Sequence, residues 1–582
     1  MSGRPFLVTT PLVRAESSSP EILLGPWCQA YRNGKAGVVQ ASVLPSPWDE
    51  AGQREYALRL FDSAYERLLA FLAESLNEAH GMRASLRYWR VAVGPWLLNF
   101  VTAYCDRFLH AQAALRRSRE LSTAFLDRRD FLTVRDTWDY TTVLSTDRFN
   151  WQIYSEIFES LGIEAPARRL PPGAPPLPRR SAWKRAGWAA AETAASLHRR
   201  LLGCSTAFSD LYFERSSIAR LMASTGFRVS PVLGVLPDHD KGLSPELRGL
   251  LSRFKATNAF EQALGRSLPG HVPSLFLEGF GRARAQVLSA WPRLPRALLT
   301  SVGWFYNEYF KLLAAESLEA GARLTICQHG GAYGMFEPLH NERHERLIAD
   351  EYWTWGWSDE SAGGARLKPM PHPRVSRRPV ARRSTGDWVL AGHAAPRYPY
   401  SFYFMNMPVW HRYMDYIRGQ HRFIAALPER ARRTLQVRLP GEDFGWELRR
   451  RLKDLFPALS LDPGAIPWEK RLRGLKLVVV DNPQTTYLEA LSANLPTVLF
   501  WDPALWQMRD SALPWLDELR QTGILHDDAE AAAAHVGRIF DNPWSWWSAS
   551  AVQEARRRFC GRYAGGRPDW HKIWASEISR WQ

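Results

Sequence analysis

Segments with the apolar periodicity of helices alternate along the chain with short apolar runs typical of strands. Apolar residues recur at spacings of three and four over 53–80 and 86–128, which predicts two long amphipathic helices. A helical pattern over 302–320 ends at Gly321, a residue type that often follows a helix C-terminus. Strand-like runs stand at 6–10, 22–27, 296–301 and 323–327. The first part of the chain is therefore predicted to be α/β with helical insertions.

A second series of strand-like runs follows in the C-terminal part. These runs lie at 388–392, 435–439, 476–480 and 495–500. Residues 476–480 are nearly all β-branched or apolar, as in a strand that is covered on both faces. Helical patterns fill the intervals, so this part is predicted to be a parallel sheet with crossover helices. The segment 529–582 has a helical pattern and is rich in tryptophan.

Two breaks in composition set the predicted domain organisation. A Pro/Arg-rich break lies at about 165–185, and the basic segment 361–386 separates the two α/β sections. The predicted fold class is α/β with two Rossmann-like parallel-sheet domains. In chain order, the predicted parts are an N-terminal α/β domain over 1–360, a linker over 361–386, a second α/β domain over 387–540 and helices over 541–582.

Bulk composition indicates a folded protein with more than one core. A chain of 582 residues is too long for a single core, and 46% hydrophobic with 23% charged residues is typical of globular proteins. No run of 18 or more apolar residues occurs, so no membrane-spanning helix is predicted. The N-terminus lacks the apolar core of a signal peptide, and we expect a cytoplasmic location. The five cysteines are scattered without a CxxC pair, so neither disulfides nor cysteine-ligated zinc are expected.

The formal charge of +16 is concentrated in two segments, 168–202 and 366–383. Each segment is consistent with a solvated linker. Alternatively, the positive charge attracts an anionic membrane surface or a phosphorylated lipid-linked acceptor, which would give peripheral contact at the inner membrane. Nucleic acid is not an expected partner, because no binding motif accompanies the charge.

The segment from Arg323 to Gly334 is the most informative local feature. A short apolar strand over 323–327 runs into a loop that carries Gln328, His329, Gly330 and Gly331. Glycines allow positive φ angles and close approach of a ligand, and ligands of α/β proteins bind at the carboxyl ends of parallel strands. We therefore predict an active site here, with Gln328 and His329 as candidate catalytic residues. A histidine in such a crevice can act as a general base or hydrogen-bond a phosphate.

Two alternatives for His329 stay open from the residues alone. The imidazole could cap a tight glycine turn. It could also join a metal site with His340 and His344, which are four residues apart. No H-E-x-x-H pattern supports the metal site, so a bound metal is not expected.

A second motif follows the apolar run that ends at Val480. It contains Asn482, Thr485, Thr486 and Glu489, with a helix predicted to start near Thr485. The free N–H groups of that helix start, together with the two hydroxyls, would suit a diphosphate. Glu489 could accept hydrogen bonds from ribose hydroxyls. Ordinary N-capping, with Glu489 complementing the helix dipole, is the alternative.

Three weaker patterns complete the set of candidates. Asp238-His239-Asp240 has the D-x-D form that some transferases use for a metal–nucleotide complex, but its Pro and Gly neighbours indicate a surface turn. Tryptophans at two Gly-Pro-Trp sites could stack on sugars, although such residues usually lie in the core. These aromatic candidates are Trp27, Trp96 and the Tyr88-Trp89-Arg90 segment. The catalytic base could instead be an acid, with Asp106, Asp136, Asp139, Glu156 and Glu308 all eligible.

At these motifs the sequence resembles a bacterial transferase family of surface-polysaccharide and O-antigen gene clusters. The likeness covers most of the chain except 160–260 and the basic linker. Its motifs are Leu7–Thr10, Leu24–Cys28, Tyr88–Arg90, Gly94–Trp96, Gln328–Gly331, Tyr333-Gly334, His344-Glu345, Trp355–Trp357, Thr485-Thr486, Leu488–Leu491, Asn494 and Pro496-Thr497. Through the Gln-His-Gly loop it is more distantly similar to capsule transferases that use CMP-activated sugar acids and to teichoic-acid glycerophosphotransferases.

The resemblance implies a two-domain glycosyltransferase of the B type, with the domains facing across a cleft. The N-terminal domain would lie on the acceptor side with His329, and the final helices would return to it. Gly330, Gly331, Asn482, Thr485, Thr486 and Glu489 would bind a nucleotide-sugar donor, without a required metal or cofactor. The expected reaction transfers a sugar, with an acidic sugar as one candidate, to a glycan or lipid-linked acceptor. The rival hypotheses are glycerophosphate transfer on the same fold and a non-catalytic scaffold of a polysaccharide complex.

Overall fold

The protein is represented by a computed structural model. It describes residues 4–16, 19–29, 31–32, 35–36, 42–50, 52–118, 120–173, 183–236, 242–337, 339–358, 364–376, 379–382, 386–399 and 412–581. The Asp238-His239-Asp240 motif lies outside the described residues.

The described strands form two six-stranded sheets and several smaller ones. In chain order the strands are β1 Phe6–Val8, β2 Glu21–Leu23, β3 Tyr31–Arg32, β4 Lys35–Ala36, β5 Ser42–Val43, β6 Phe125–Leu126, β7 Ala167–Arg168, β8 Thr206–Ser209, β9 Val229–Pro231, β10 Ala297–Thr300, β11 Arg323–Cys327, β12 Glu351–Thr354, β13 Arg366–Pro369, β14 Asp387–Ala391, β15 Leu435–Arg438, β16 Ser460–Leu461, β17 Leu475–Val480, β18 Thr497–Phe500 and β19 Leu525–His526. The larger sheets have the orders β13-β12-β11-β10-β8-β9 and β16-β15-β14-β17-β18-β19.

Helices connect these strands. Their bounds are Gln53–His80, Leu86–Ala92, Gly94–Arg117, Thr137–Leu144, Asp147–Ser160, Trp183–Leu202, Arg215–Ser224, Pro245–Leu251, Ala259–His271, Phe280–Ala290, Gly303–Tyr306, Glu308–Glu319, His340–Ile348, Tyr413–Ala426, Glu429–Arg432, Leu448–Leu455, Trp468–Arg471, Thr485–Ser492, Leu513–Gln521, Ala529–Ile539, Pro543–Trp547, Ser550–Tyr563 and Trp570–Ser579. No helix within the described residues is both long enough and apolar enough to span a membrane.

The predicted fold class, α/β with two parallel sheets, is confirmed. In the second sheet every neighbouring pair is parallel, from β16 through to β19. In the first sheet β8 pairs with β10 in parallel, and β11, β12 and β13 form a parallel set. The predicted strands at 323–327 and 388–392 correspond to β11 and β14. Their buried apolar side chains explain why a pattern of short apolar runs identified them.

One long helix was predicted with the wrong bounds. The pattern over 86–128 predicts a single helix, whereas the structure has Leu86–Ala92 followed by Gly94–Arg117. Pro95 lies in the first turn of the second helix, where its missing N–H costs nothing and where it favours a new helix start. The second helix ends at Arg117 and not near residue 128. The helix predicted at 53–80 is confirmed with these bounds.

Part of the basic segment predicted as a linker is regular structure. Residues Arg366–Pro369 form the edge strand β13, paired in parallel with β12. Arg366 pairs with Glu351 on the neighbouring strand, and Lys368 pairs with Glu577. These basic residues are therefore matched by acids that are distant in sequence, which a reading of local charge cannot reveal.

The chain forms two compact units. The first comprises Met1–Ser209, Ser230–Leu324 and Arg397–Ser401, and the second comprises Asp210–Val229, Thr325–Pro396 and Phe402–Gln582. The core of the first unit surrounds the helix Gly94–Arg117, which is buried along most of its length. In the second unit the helix Trp570–Ser579 packs on aromatic side chains, with Trp574 against Phe213 and Trp353. The predicted domain boundaries at 360 and 387 stay a prediction.

Candidate functional site

The loop after β11 is fixed by the side chain of Gln328. This side chain is buried, and its amide oxygen accepts hydrogen bonds of 2.8 Å from the Trp355 N–H and from the Trp357 indole. Its amide nitrogen donates to the Gly330 carbonyl at 2.8 Å. Both ends of the Gln328 amide are thus used in hydrogen bonds that hold the loop carrying His329.

His329 follows directly and lies against a buried carboxylate. Its Nε2 lies 3.2 Å from the Tyr333 hydroxyl oxygen, and its Nδ1 lies 3.8 Å from Glu345 Oε1. Burial, and then the positive charge of Arg374, lower the pKa of His329 to about 4. At neutral pH the ring is therefore uncharged and able to accept a proton.

Glu345 is the acid at the base of this arrangement. It is fully buried and accepts hydrogen bonds of 2.8 Å from the hydroxyls of Tyr333 and Tyr352. Two donors compensate a buried carboxylate in part. Glu345 belongs to the His344-Glu345 pair of the family resemblance, but the sequence gives no sign that it lies beneath His329.

Gly331 brings the loop into direct contact with the helix Thr485–Ser492. Its N–H donates to Thr485 Oγ1 at 3.1 Å. A Cβ atom at this position would lie 2.5 Å from the Gln484 carbonyl oxygen and 3.0 Å from Thr485 Cα. At Gly330 a Cβ would meet nothing closer than 3.5 Å. The two loops predicted as separate parts of one site are thus brought together, and Gly331 is required by close packing of backbones and not by a positive φ.

Asn482 lies at the switch point of the second sheet. From β14 the chain builds outward through β15 and β16, and it returns through β17 on the other side of β14. Such a point is where open parallel sheets bind ligands. Asn482 follows β17, and its amide nitrogen donates to Asp481 at 3.0 Å and to Ala391, the last residue of β14, at 3.4 Å.

Asp481 directly precedes Asn482 and makes buried hydrogen bonds at this switch point. It is buried and accepts hydrogen bonds of 2.8 Å from the Tyr416 hydroxyl and from the Gln420 amide. Burial raises the pKa of Asp481 to about 6. The Tyr416 hydroxyl also accepts a hydrogen bond of 2.7 Å from the His393 N–H. The loops that follow β14 and β17 are therefore tied together by one network.

The helix Thr485–Ser492 begins at the predicted residue. Its first turn receives no hydrogen bond from the side chain of the capping residue, Gln484. Thr485 uses its hydroxyl to accept from Gly331, and Thr486 is partly exposed. Glu489 is buried and lies 3.3 Å from the Arg374 Nε. The structure thus places Thr485 against the loop and gives Glu489 a cationic partner.

Arg374 and Tyr212 are near His329 and were missed by sequence reasoning. The Arg374 guanidinium lies 4.2 Å from the centre of the Tyr212 ring, whose centroid is 6.2 Å from that of His329. Tyr212 is 49% exposed and has a φ of 61°, an unfavourable conformation for a tyrosine. Arg374 lies in the basic segment 361–386 that the sequence predicts as a linker, and Tyr212 carries no signal in the sequence.

The structure also gives the surroundings of the other candidates. Trp27, Trp96, Tyr88 and Trp89 are all at most 2% exposed, so stacking of these rings on a sugar is excluded in this structure and the core alternative is correct. The acids left open as bases are each paired: Asp106 with Arg107 and Trp48, Asp136 with the Asp139 N–H, Asp139 with Arg135, Glu156 with His271 and Tyr104, and Glu308 with Lys311. Within the described residues, no three His, Cys, Asp or Glu side chains gather as metal ligands would.

Two parallel sheets define an α/β protein, and the loop after β11 lies against the start of the helix Thr485–Ser492 as a candidate ligand site at strand ends. The chain belongs to the LIC12162 family of transferases, whose family model matches residues 5–578. This confirms the predicted transferase class. No curated protein matches the sequence.

Solved structures of glycosyltransferases and of a UDP complex are similar over about two thirds of the chain. The glycosyltransferase SnogD from Streptomyces nogalater is 14% identical, with 65% of this chain and 99% of that chain covered and a TM-score of 0.33. The MnaA–UDP complex from S. aureus is 10% identical, with 65% and 96% covered and a TM-score of 0.35. The spinosyn rhamnosyltransferase SpnG is 13% identical, with 64% and 99% covered and a TM-score of 0.29.

Proposed function

We propose that the protein is a metal-independent glycosyltransferase of the B-type fold that acts in surface-glycan assembly. It moves a sugar from a nucleotide donor to a glycan or lipid-linked acceptor. In its most specific form, the proposal is that this sugar is acidic. The observation that carries the proposal is the contact of Gly331 with Thr485. It sets an uncharged histidine beside the N-terminus of a helix that can receive a phosphate.

The donor phosphates are proposed to bind at the start of the helix Thr485–Ser492. Its first N–H groups and positive dipole end favour an anion, and Thr486 adds a hydroxyl. The side chain of Asn482 and the backbone of Gly330 and Gly331, in the loops after β17 and β11, are proposed to contact the donor as well. Arg374 supplies a full positive charge, so the phosphate of the leaving nucleotide is stabilised without a metal. Because Glu489 is buried against Arg374, we assign it the positioning of that guanidinium in place of direct ribose contact.

His329 is proposed as the base that receives the acceptor proton. The acceptor hydroxyl replaces the long 3.2 Å contact between Nε2 and Tyr333. As its oxygen bonds to the anomeric carbon, its proton passes to His329, and the bond from that carbon to the phosphate oxygen breaks with its electron pair. Glu345, 3.8 Å from Nδ1, stabilises the imidazolium that forms. Gln328 acts by holding this ring in place.

The test compares His329→Gln with a matched histidine variant, His421→Gln. Burial, and then Arg451, lower the pKa of His421 to about 4 as well, but this residue packs on Phe456. Nucleotide release from CMP-, UDP- and GDP-sugars should fall by about 100-fold or more in His329→Gln and stay near wild type in His421→Gln. Equal activity of the two variants would refute the role of His329.

Two further measurements separate the rival functions. The mass added to the acceptor distinguishes a sugar from a glycerophosphate unit. A thermal-shift screen with CMP, UDP and GDP distinguishes an enzyme from a scaffold, because a ligand that binds the folded state raises the melting temperature. If no nucleotide stabilises the wild-type chain, the glycosyltransferase proposal fails.

A further inference from the structure

A cavity of about 320 Å³ lies in the second unit beside the C-terminal end of the helix Thr485–Ser492. Its wall is formed by residues 375–376, by Ser492 and by residues of the segment 556–568. The volume is at the lower end of the range found for ligand pockets, about 300–1,000 Å³. Of the described residues that line the cavity, none is acidic. The cavity is thus large enough for a compact ligand and has no carboxylate that would repel an anion.

Hydrogen bonds fix the loop and the segment that face each other across this cavity. Ser376 Oγ donates to the His372 carbonyl at 2.7 Å and accepts from the Arg567 N–H at 2.9 Å. The Gly565 N–H donates to the Trp355 carbonyl at 2.5 Å. Both walls are therefore tied to each other or to the sheet of this unit, and the cavity is a formed part of the fold.

Arg556 brings a positive charge to the cavity that no acid in the described part of the chain balances. Its Nε donates to Gln553 Oε1 at 3.2 Å and its Nη1 to the Leu491 carbonyl at 3.0 Å. Both acceptors are uncharged, and among the described groups none accepts from Nη2. The side chain is partly buried, and burial lowers the pKa of Arg556. A desolvated charge without a counter-charge is unfavourable, so a bound anion would offset this cost.

The contact of Arg556 with Leu491 has a structural role of its own. The C-terminal end of a helix favours positive charge, and Leu491 is the penultimate residue of the helix Thr485–Ser492. This contact uses one nitrogen of the guanidinium and leaves Nη2 for a ligand. A guanidinium can hold a phosphate or carboxylate through two parallel hydrogen bonds.

The groups next to Arg556 also suit an anion. The Ser492 hydroxyl is buried, and its hydrogen-bonding neighbour in the described residues is the Cys560 thiol, a weak partner. This hydroxyl can donate to a ligand instead. Arg557 lines the cavity as well, but it pairs with Glu554 at 2.7 Å. The charge argument therefore rests on Arg556 and not on a count of basic residues.

We propose that this cavity binds a small soluble phosphate monoester, with Arg556 and the Ser492 hydroxyl as its ligands. The site lies at the opposite end of the helix from Thr485, so it is distinct from the proposed donor site. It does not depend on the proposed function, because it is defined by binding alone.

The test is isothermal titration of the full chain with glucose 6-phosphate at constant ionic strength, with glucose as the uncharged comparison. All proteins carry Arg374→Gln, which removes the cation of the proposed donor site. This parent chain should bind glucose 6-phosphate with a Kd of about 1 mM or below and should not bind glucose. Adding Arg556→Gln should weaken binding by at least about tenfold, because charge-assisted hydrogen bonds are lost.

Gly561→Leu is a second variant that leaves Arg556 and its contact with Leu491 in place. Gly561 lines the cavity inside the helix Ser550–Tyr563, and a Cβ there would meet nothing within 4 Å. Leucine is the better helix former, so the variant should fold, while its side chain fills the cavity. It should also weaken binding by at least about tenfold.

Arg558→Gln is the matched control, because Arg558 is on the same helix and pairs with Glu518 outside the cavity. Its Kd should stay within about twofold of the parent chain. The proposal is overturned if the parent chain shows no saturable binding of glucose 6-phosphate up to about 10 mM. It is also overturned if Arg556→Gln or Gly561→Leu binds as tightly as Arg558→Gln.

Discussion

Replacing Gly331 by alanine tests whether the contact between the two loops is what assembles the site. The added Cβ would lie 2.5 Å from the Gln484 carbonyl oxygen, whereas ordinary contact begins at 3.4 Å. The backbones therefore have to separate by about 0.9 Å. The atoms that the new Cβ would meet belong to the backbone of Gln484 and Thr485. The strain therefore cannot be relieved by a rotamer change. The hydrogen bond from Gly331 to Thr485, now 3.1 Å, is stretched by the same movement.

The expected effect is larger on catalysis than on folding. Overpacking of this kind costs about 1–3 kcal/mol of stability, and the weakened hydrogen bond about 1 kcal/mol. A displacement near 1 Å between reacting groups costs about 100-fold in rate. We therefore expect Gly331→Ala to remain folded by circular dichroism and gel filtration, with kcat/KM for donor and acceptor reduced by about two orders of magnitude.

The neighbouring glycine supplies the control. In Gly330→Ala the new Cβ meets Tyr333 and Thr485 Oγ1 only at 3.5–3.6 Å, an ordinary contact, so kcat/KM should stay within about threefold of the wild type. The reasoning is refuted if Gly331→Ala is also within threefold, or if the two variants lose the same activity while both are folded.

Three more outcomes follow from the charges of the second unit. Burial and Arg374 lower the pKa of His329 to about 4. In a pH–rate profile, kcat/KM should therefore stay constant down to about pH 5 and fall as the pH drops through 4. A fall centred near pH 6.5 would contradict this. Arg374→Gln should lower kcat/KM by about 100-fold and move that acidic limb upward, because a positive charge near the ring is removed; an unmoved limb would show that Arg374 does not act on His329. The pKa of Asp481 is raised to about 6 from 3.8, so its contribution to stability is present below pH 3.8 and lost as pH rises through 6. In urea unfolding of wild type and Asp481→Asn, the difference in stability should therefore shift against the wild type by up to about 3 kcal/mol between pH 4 and pH 7, and a constant difference would contradict the burial argument.

The elements that could be predicted from sequence are those whose signal is local. The strand β11 and the helix start at Thr485 have the predicted bounds, because a buried parallel strand is apolar throughout and a helix start follows a polar loop. The shortest and most polar strands gave no such signal. β13 reads Arg-Leu-Lys-Pro, and its basic residues are stabilised by Glu351 and Glu577 from elsewhere in the chain.

The candidate site was predictable in its centre and not in its surroundings. Gln328, His329 and Thr485 were found because glycines and polar residues follow apolar runs. Arg374 was not found, because only tertiary structure brings it to Glu489 and Tyr212. The Gly-Pro-Trp tryptophans show a different limit of sequence analysis. Stacking on a sugar and packing in the core require the same residue type, so the sequence cannot choose between these two hypotheses. Only the burial of Trp27 and Trp96 decides between them.

The packing of Trp574 on Phe213 and Trp353 has a consequence for biosynthesis. This aromatic surface can form only after Trp353 is synthesised, and Trp574 follows 221 residues later. At about 5–20 residues per second, this interval lasts roughly 10 to 45 s. During that time the aromatic surface of the second unit has no C-terminal helix to cover it, so the nascent chain presents a binding surface for chaperones until translation is almost complete.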